Sequence, residues 1–227
     1  MRPEGDLPAS GYVRVKRIAG ICVDGLPFVG VGVLLTILGV LILGKWAGLP
    51  LGLLTLWTIW FFRDPERTVP SDPNLVVSPA DGKVIDVRRT SYPRLLAGEA
   101  TRVSVFMSVF NVHVNRSPCS GRVRSVQYNP GKYLAAFAEK ASLDNEQCAI
   151  LIDTDRGLPV MFVQIAGLIA RRIVCRLAPG ESVNRGERFG LIRFGSRCDI
   201  YLPDGADVLV RVGDKVHGGS GVIGRFR

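Results

Sequence analysis

Histidine is almost absent from this chain: two in 227 residues, His113 and His217. Cysteine is scarce too. The five thiols, Cys22, Cys119, Cys148, Cys175 and Cys198, are odd in number and none is paired as CxxC. That pattern excludes a zinc knuckle and argues against a disulfide frame, so reduced intracellular thiols and no metal are expected. Cys198 reads as a small buried side chain. Acidic residues are outnumbered 20 to 29 by basic ones, for a net charge of +9. A basic surplus suits nucleic acid or an anionic membrane surface. Zinc-finger spacing and aromatic–basic RNA-binding patterns are both missing, which argues against nucleic acid as a partner. Charge itself is missing from one place: between residues 26 and 62 the only charged side chain is Lys45. An apolar segment beside a basic surface favours the membrane.

That segment holds two apolar runs, 26–43 and 46–62, which accounts for a mean hydropathy of +0.23. At about 1.5 Å per residue the first run nearly crosses a hydrocarbon core. A hairpin turning at Gly44-Lys45 is the natural arrangement. A turn at Gly48-Leu49-Pro50 would leave the second arm too short to span, so two spans and a monotopic hairpin both stay open. Arg14, Lys16 and Arg17 precede the runs, and Arg63 and Arg67 follow. Both ends are therefore expected on the cytoplasmic side of the cell membrane, with Trp46, Trp57 and Trp60 as interfacial anchors. The 25 residues ahead of the first run and the lack of a small-x-small site after Leu43 argue against a cleaved signal peptide.

After Phe62 the texture changes. A polar, proline-containing linker at 63–73 gives way to β-branched runs at 83–87, 103–114, 122–128, 149–153, 160–165 and 169–177, separated by Gly, Pro and Asn turns. This predicts a mainly β, barrel- or sandwich-like domain over 74–227, with one helix near 134–141. An internal echo joins Gly180-Glu-Ser-Val-Asn-Arg-Gly to Gly213-Asp-Lys-Val-His-Gly-Gly. Such turns are familiar from lipoyl- and biotinyl-type β-sandwiches, with Gly at positions of positive φ. No Lys stands at a hairpin tip in a Met-Lys setting, so a swinging-arm carrier is not indicated.

Chemistry concentrates at three points. In Phe194-Gly195-Ser196-Arg197 a Ser hydroxyl follows a Gly carbonyl. Attack on that carbonyl turns the amide into an ester, and elimination then breaks the chain and leaves the Ser as a pyruvoyl group. His113 lies in Phe110-Asn111-Val112-His113-Val114-Asn115. Read as a strand, period two puts Asn111, His113 and Asn115 on one polar face. Asp81 lies in Ser78-Pro79-Ala80-Asp81-Gly82-Lys83. Nucleophile, imidazole and carboxylate are the three groups that an activated hydroxyl needs. His217, in a Gly-rich turn, reads as exposed.

At these residues the chain resembles the phosphatidylserine decarboxylase proenzymes of the short prokaryotic type. The resemblance rests on Phe61-Phe62-Arg63-Asp64-Pro65, Pro79 to Val84, Phe106 to Asn115, Asn129-Pro130-Gly131-Lys132-Tyr133, Gln164 to Gly167, and Phe194 to Arg197. It implies self-cleavage between Gly195 and Ser196 into a β chain, 1–195, and an α chain, 196–227, which stay together as a heterodimer. The α chain would begin with the covalent pyruvoyl group made from Ser196. It implies a maturation triad of Asp81, His113 and Ser196, with His113 acting again in turnover. The substrate would be phosphatidylserine in the membrane, decarboxylated to phosphatidylethanolamine through a Schiff base. Arg116, Lys132, Arg171 and Arg172 are basic candidates for its phosphate. The family's Asn-Glu-Arg block stands here as Asn145-Glu146-Gln147, without the Arg. Three other readings compete: the same chemistry on an ether lipid such as archaetidylserine, a membrane-anchored adaptor with a lipoyl-like domain, and a plain serine hydrolase. The last lacks a GxSxG elbow.

Overall fold

The computed structural model describes residues 15–92, 96–131, 145–167, 172–193 and 196–227. A short ribbon, β1 (Arg17–Ile18) and β2 (Ile21–Cys22), leads into α1 (Leu26–Leu43) and α2 (Lys45–Phe61). The β domain then contains β3 (Leu75–Val77), β4 (Gly82–Tyr92), β5 (Leu96–Met107), β6 (Val114–Arg116), β7 (Gly121–Asn129), β8 (Gln147–Thr154), β9 (Pro159–Ala166) and β10 (Ile173–Cys175). It continues with β11 (Ser182–Val183), β12 (Arg188–Ile192), β13 (Ser196–Pro203), β14 (Ala206–Val208), β15 (Lys215–Val216) and β16 (Val222–Phe226). The helix expected near 134–141 lies outside the described residues.

The helices form an antiparallel pair because α1 stops at Gly44, whose φ of +82° only glycine adopts freely. The turn thus falls at Gly44-Lys45, and Pro50 sits inside α2. Small residues let the backbones approach: a Cβ on Gly48 would stand 2.1 Å from Val40, and one on Gly32 would stand 2.8 Å from Thr55. Thr36 and Thr55 hydroxyls meet across the pair at 3.1 Å. Outward, Leu34, Leu38, Leu41, Leu53 and Leu56 are exposed. Residues Val23–Leu43 are long and apolar enough to cross a membrane. The 17 residues of α2 are short for that.

In the β domain eight strands form one curled sheet, a half-barrel, in the order β11-β7-β8-β9-β13-β5-β4-β15. Two three-stranded sheets, β10-β12-β6 and β14-β16-β3, complete it. The orders mirror each other about the β9–β13 pair. One half comprises β6 to β12. The other comprises β3 to β5 and β13 to β16, so the first half is inserted into the second.

Sequence and hydrogen bonds both carry the duplication. Ser78-Pro79-Ala80-Asp81-Gly82-Lys83-Val84 matches Ser117-Pro118-Cys119-Ser120-Gly121-Arg122-Val123, and the echo at 180 and 213 is its second part. Gly180 N donates to Val123 O, as Gly213 N does to Val84 O; Gly186 N donates to Ser117 O, as Gly219 N does to Ser78 O. Apolar positions at period two from both halves fill one core, with Val103, Val105, Ile150, Ile152, Phe162, Cys198 and Ile200 buried in it.

The stretch at 63–73 is strapped to the β domain by ion pairs. Asp64 is fully buried, with Oδ1 2.8 Å from Arg116 and Oδ2 2.5 Å from Arg188. Arg67 pairs with Asp81 at 2.7 Å. Arg185 donates to the carbonyls of Pro70, Asp72 and Leu75. Asp64→Asn would leave buried guanidinium charge facing a neutral amide, a loss of roughly 3–5 kcal/mol for a broken buried pair. Urea denaturation should show a lowered midpoint at unchanged slope.

Candidate active site

Insertion of one half into the other requires two crossings. The chain leaves through 108–113 and re-enters at Ser196. The end of β12 lies against the first crossing, since Ile192 N donates to His113 O at 3.3 Å. On re-entry Ser196 is the first residue of β13, opposite Met107 on β5 and Ala166 on β9. Thus His113 lies on one crossing and Ser196 ends the other. Gly195 lies outside the described residues.

Residues 103–114 are not one strand. β5 ends at Met107, and a turn follows because Asn111 Oδ1 accepts from Ser108 N (2.9 Å) and Ser108 Oγ (2.8 Å). Asn111 therefore reaches His113 through its backbone rather than as a neighbour on a strand face: His113 Nδ1 lies 2.9 Å from Asn111 O. A carbonyl only accepts, so Nδ1 carries the proton and Nε2 presents its lone pair. Nε2 is buried and has no hydrogen-bond partner among the described residues. Phe61, at the end of α2, packs on the imidazole with ring centres 4.2 Å apart. Burial pushes the His113 pKa down to about 4; the Asn111 bond opposes this and the Arg63 charge reinforces it.

Ser196 is fully buried. Its Oγ points at the Met107 thioether, 3.9 Å away, a weak acceptor. The same sulfur meets Asn115 Nδ2 at 3.6 Å, and Asn115 Oδ1 accepts from Gln164 Nε2 at 2.8 Å. Gln164 Oε1 is buried without a partner among the described residues.

Asp81 shares this rim of the sheet. Lys83 pairs with Phe106, beside Met107, and Met107 pairs with Ser196. Asp81 immediately precedes β4, and only β5 lies between β4 and β13. The carboxylate makes no hydrogen bond to His113 among the described residues. It accepts from Arg67 (2.7 Å) and from Gly218 N (2.8 Å), and lies 3.3 Å from His217 Nδ1. His217 is exposed as expected, at 62% of its side chain, yet it is the imidazole that Asp81 meets. In the other half Ser120 Oγ takes Asp81's place and accepts from Arg185 N at 2.9 Å.

Of the basic candidates, Arg116 is buried and engaged: it donates to Asp64, Pro65 O and Gly186 O. Arg172 is exposed. Lys132 and Arg171 lie outside the described residues. The sequence reading missed Phe61 as His113's ring partner, Arg67 as Asp81's ion pair and the Asn111 carbonyl as the group that sets the tautomer. Only the repeated Ser-Pro-x-x-Gly motif could have signalled the Asp81–His217 turn.

Fold and site together define a β-structured enzyme core carried behind an apolar helical hairpin. The phosphatidylserine decarboxylase family pattern matches residues 54–224. The phosphatidylserine decarboxylase proenzyme of Desulfotalea psychrophila is 46% identical over 89% of this chain and 95% of the relative. That of Syntrophus aciditrophicus is 49% identical over 93% and 100%, and that of Symbiobacterium thermophilum 50% over 89% and 94%. The chain belongs to the phosphatidylserine decarboxylase family.

The pyruvoyl group that this family forms at a serine fits the residues present. A buried Ser196 opens a central strand, and His113 Nε2 and Gln164 Oε1 are buried polar atoms without a partner among the described residues. Because His113 is held neutral when folded but titrates near 6.5 when unfolded, protons bind the unfolded chain more strongly. Stability should therefore fall as pH drops from about 6.5 to about 4, by on the order of 3 kcal/mol from this residue. Unfolding midpoints measured across that window should fall less steeply for His113→Gln than for the wild type.

Proposed function

We propose that the chain is a phosphatidylserine decarboxylase that matures by cutting itself between Gly195 and Ser196 and acts at the cytoplasmic face of the cell membrane. The buried Ser196 that opens β13, together with a buried His113 Nε2 that has no hydrogen-bond partner among the described residues, is the observation that carries this reading.

In maturation, Ser196 Oγ attacks the Gly195 carbonyl carbon while His113 Nε2 takes the hydroxyl proton. The peptide C–N bond breaks, the Ser196 nitrogen takes up a proton, and Gly195 is left as an ester on Oγ. Removal of the Ser196 α-proton then breaks the Cβ–Oγ bond, and Gly195 departs as a carboxylate. Tautomerisation of the remaining dehydroalanine and hydrolysis, with water entering and ammonia leaving, complete the N-terminus of the α chain. A neutral His113 near pH 7 suits the first step, since a protonated ring could not accept a proton. Asp81 acts from the same rim through Arg67 and His217 rather than through His113.

The pyruvoyl ketone supplies the electron sink for loss of CO2. His113, charged only transiently, is a strong acid once protonated, which suits delivery of a proton to the headgroup α-carbon. The helix pair supports a membrane address: α1 is apolar all round, and Phe61 at the end of α2 touches the imidazole directly. The lipid substrate is thereby met beside the chemistry. Basic residues at both ends of the hairpin favour a cytoplasmic β domain. The lipoyl-like character of its turns rests on the two Gly-x-x-x-x-x-Gly hairpins at 180–186 and 213–219, whose first and last glycines have positive φ.

Cleavage leaves the α fragment with β13 to β16, and β13 lies between β5 and β9 over most of its length. The intact mass of denatured wild-type protein should resolve into a fragment ending at Gly195 and a smaller one whose first residue lacks its amine. The two should co-migrate under native conditions, and Ser196→Ala should remain whole. His113→Ala should slow cutting by about 10²- to 10⁴-fold. A wild type that stays full length would overturn the proposal.

A further inference from the structure

Between the end of α2 and the crossing that holds His113, three contacts run in parallel. The Trp60 and Phe110 rings lie 6.2 Å apart, Phe61 packs on His113 at 4.2 Å, and Arg63 donates to Phe110 O at 2.9 Å. The Arg63 guanidinium also lies over the Trp60 ring, 3.7 Å from its centroid, and donates to Trp60 O at 2.9 Å. Both of its acceptors are neutral carbonyls. No carboxylate among the described residues pairs with it, Asp81 being committed to Arg67. Two of five N–H groups are used, which leaves a half-buried guanidinium with donors to spare and with Asp81 acting on it only through space.

Its position is equally specific. An apolar cavity of about 200 Å³ between α1 and α2 ends at Phe61 and Phe62. One residue later charge begins. Trp60 and Phe110, 41% and 63% exposed, flank that boundary as interfacial aromatics do. In a phospholipid the phosphate stands at the same boundary, with acyl chains on one side and the headgroup on the other.

We propose that Arg63 is the seat of the substrate's phosphate diester, clamped in place by Trp60 and the Phe110 carbonyl so that the serine headgroup extends past Phe61 toward His113 and Ser196. The site rests on the decarboxylase reading above. An Arg fork suits a phosphate, and stacking on an indole fixes its plane.

The test is steady-state kinetics with short-chain phosphatidylserine in mixed micelles, after intact mass has confirmed complete self-cleavage. Arg63→Gln should raise KM about 10- to 100-fold, the worth of one charge-assisted contact, with kcat nearly unchanged. A phosphotriester analogue, whose phosphate is uncharged, should lose as much with the wild type and be indifferent to Arg63→Gln. An unchanged KM, or equal losses on charged and uncharged substrates, would overturn the proposal. If Arg63→Gln remains uncut, Arg63→Lys carries the test: it keeps the charge and loses the fork, so KM should rise several-fold, and an unaltered KM would count against the site. A wild type that cleaves itself but releases no CO2 from phosphatidylserine refutes the function. A working wild type beside an Arg63→Gln of equal KM refutes only the phosphate seat.

Discussion

Everything at the site depends on β13 lying between β5 and β9. That pairing runs from Ser196↔Met107 to Pro203↔Ala100 on one side and from Ser196↔Ala166 to Tyr201↔Met161 on the other. It is also where the two halves of the β domain meet. An inserted half must be entered and left, and antiparallel pairing at the junction brings entry and exit to the same rim. Two residues more than eighty apart in sequence, His113 just before β6 and Ser196 at the start of β13, are thus set at junctions between the two halves by topology.

The same pairing allows the chain to be broken there. Central strands bury both faces and satisfy both ladders. A cut just before β13 severs a crossing, not a strand. Every ladder bond of β13 survives, and β16 still pairs with β3 and β14. The straps at 63–73 hold the helical pair on the other side of the site: Asp64 between Arg116 and Arg188 ties the end of α2 to β6 and β12. Phe61 therefore rests on His113 as a consequence of packing, and removal of water from that ring keeps the imidazole neutral.

Much of this was legible in the residues. Alternating runs mark most strands of the half-barrel, the charge-free stretch marks the helices, and Gly44 marks their turn. Ser196, His113 and Asp81 stand out because each is a chemical oddity in its surroundings. What was not legible is pairing at long range. Nothing local in Phe106 to Asn115 reveals that the strand breaks at Ser108, because the cause is a side-chain bond from Asn111 that competes with the ladder. Arg116 looked available because sequence does not show Asp64 arriving from fifty residues away. The 63–73 stretch looked like a linker because its proline and charge content is that of linkers. The ion pairs that bind it are made with distant strands.

The duplication separates what the fold requires from what the chemistry adds. At one turn, Ser120 Oγ receives the backbone N–H of Arg185, and Asn184 precedes it. At the matching turn, Asp81 receives the N–H of Gly218, and His217 precedes it. A hydroxyl and an amide therefore suffice to build this turn. The carboxylate, the imidazole and the Arg67 charge exceed that requirement, and burying Asp81 would carry a desolvation cost without its ion pair. The excess occurs in one half only, on the rim where Ser196 begins β13, and the matching turn of the inserted half faces no such serine. The asymmetry between two otherwise equivalent turns thus marks this rim without reference to any relative: the turn at Asp81 joins a carboxylate to an imidazole and a guanidinium, whereas the one charge at the Ser120 turn, on Arg185, is spent on backbone carbonyls.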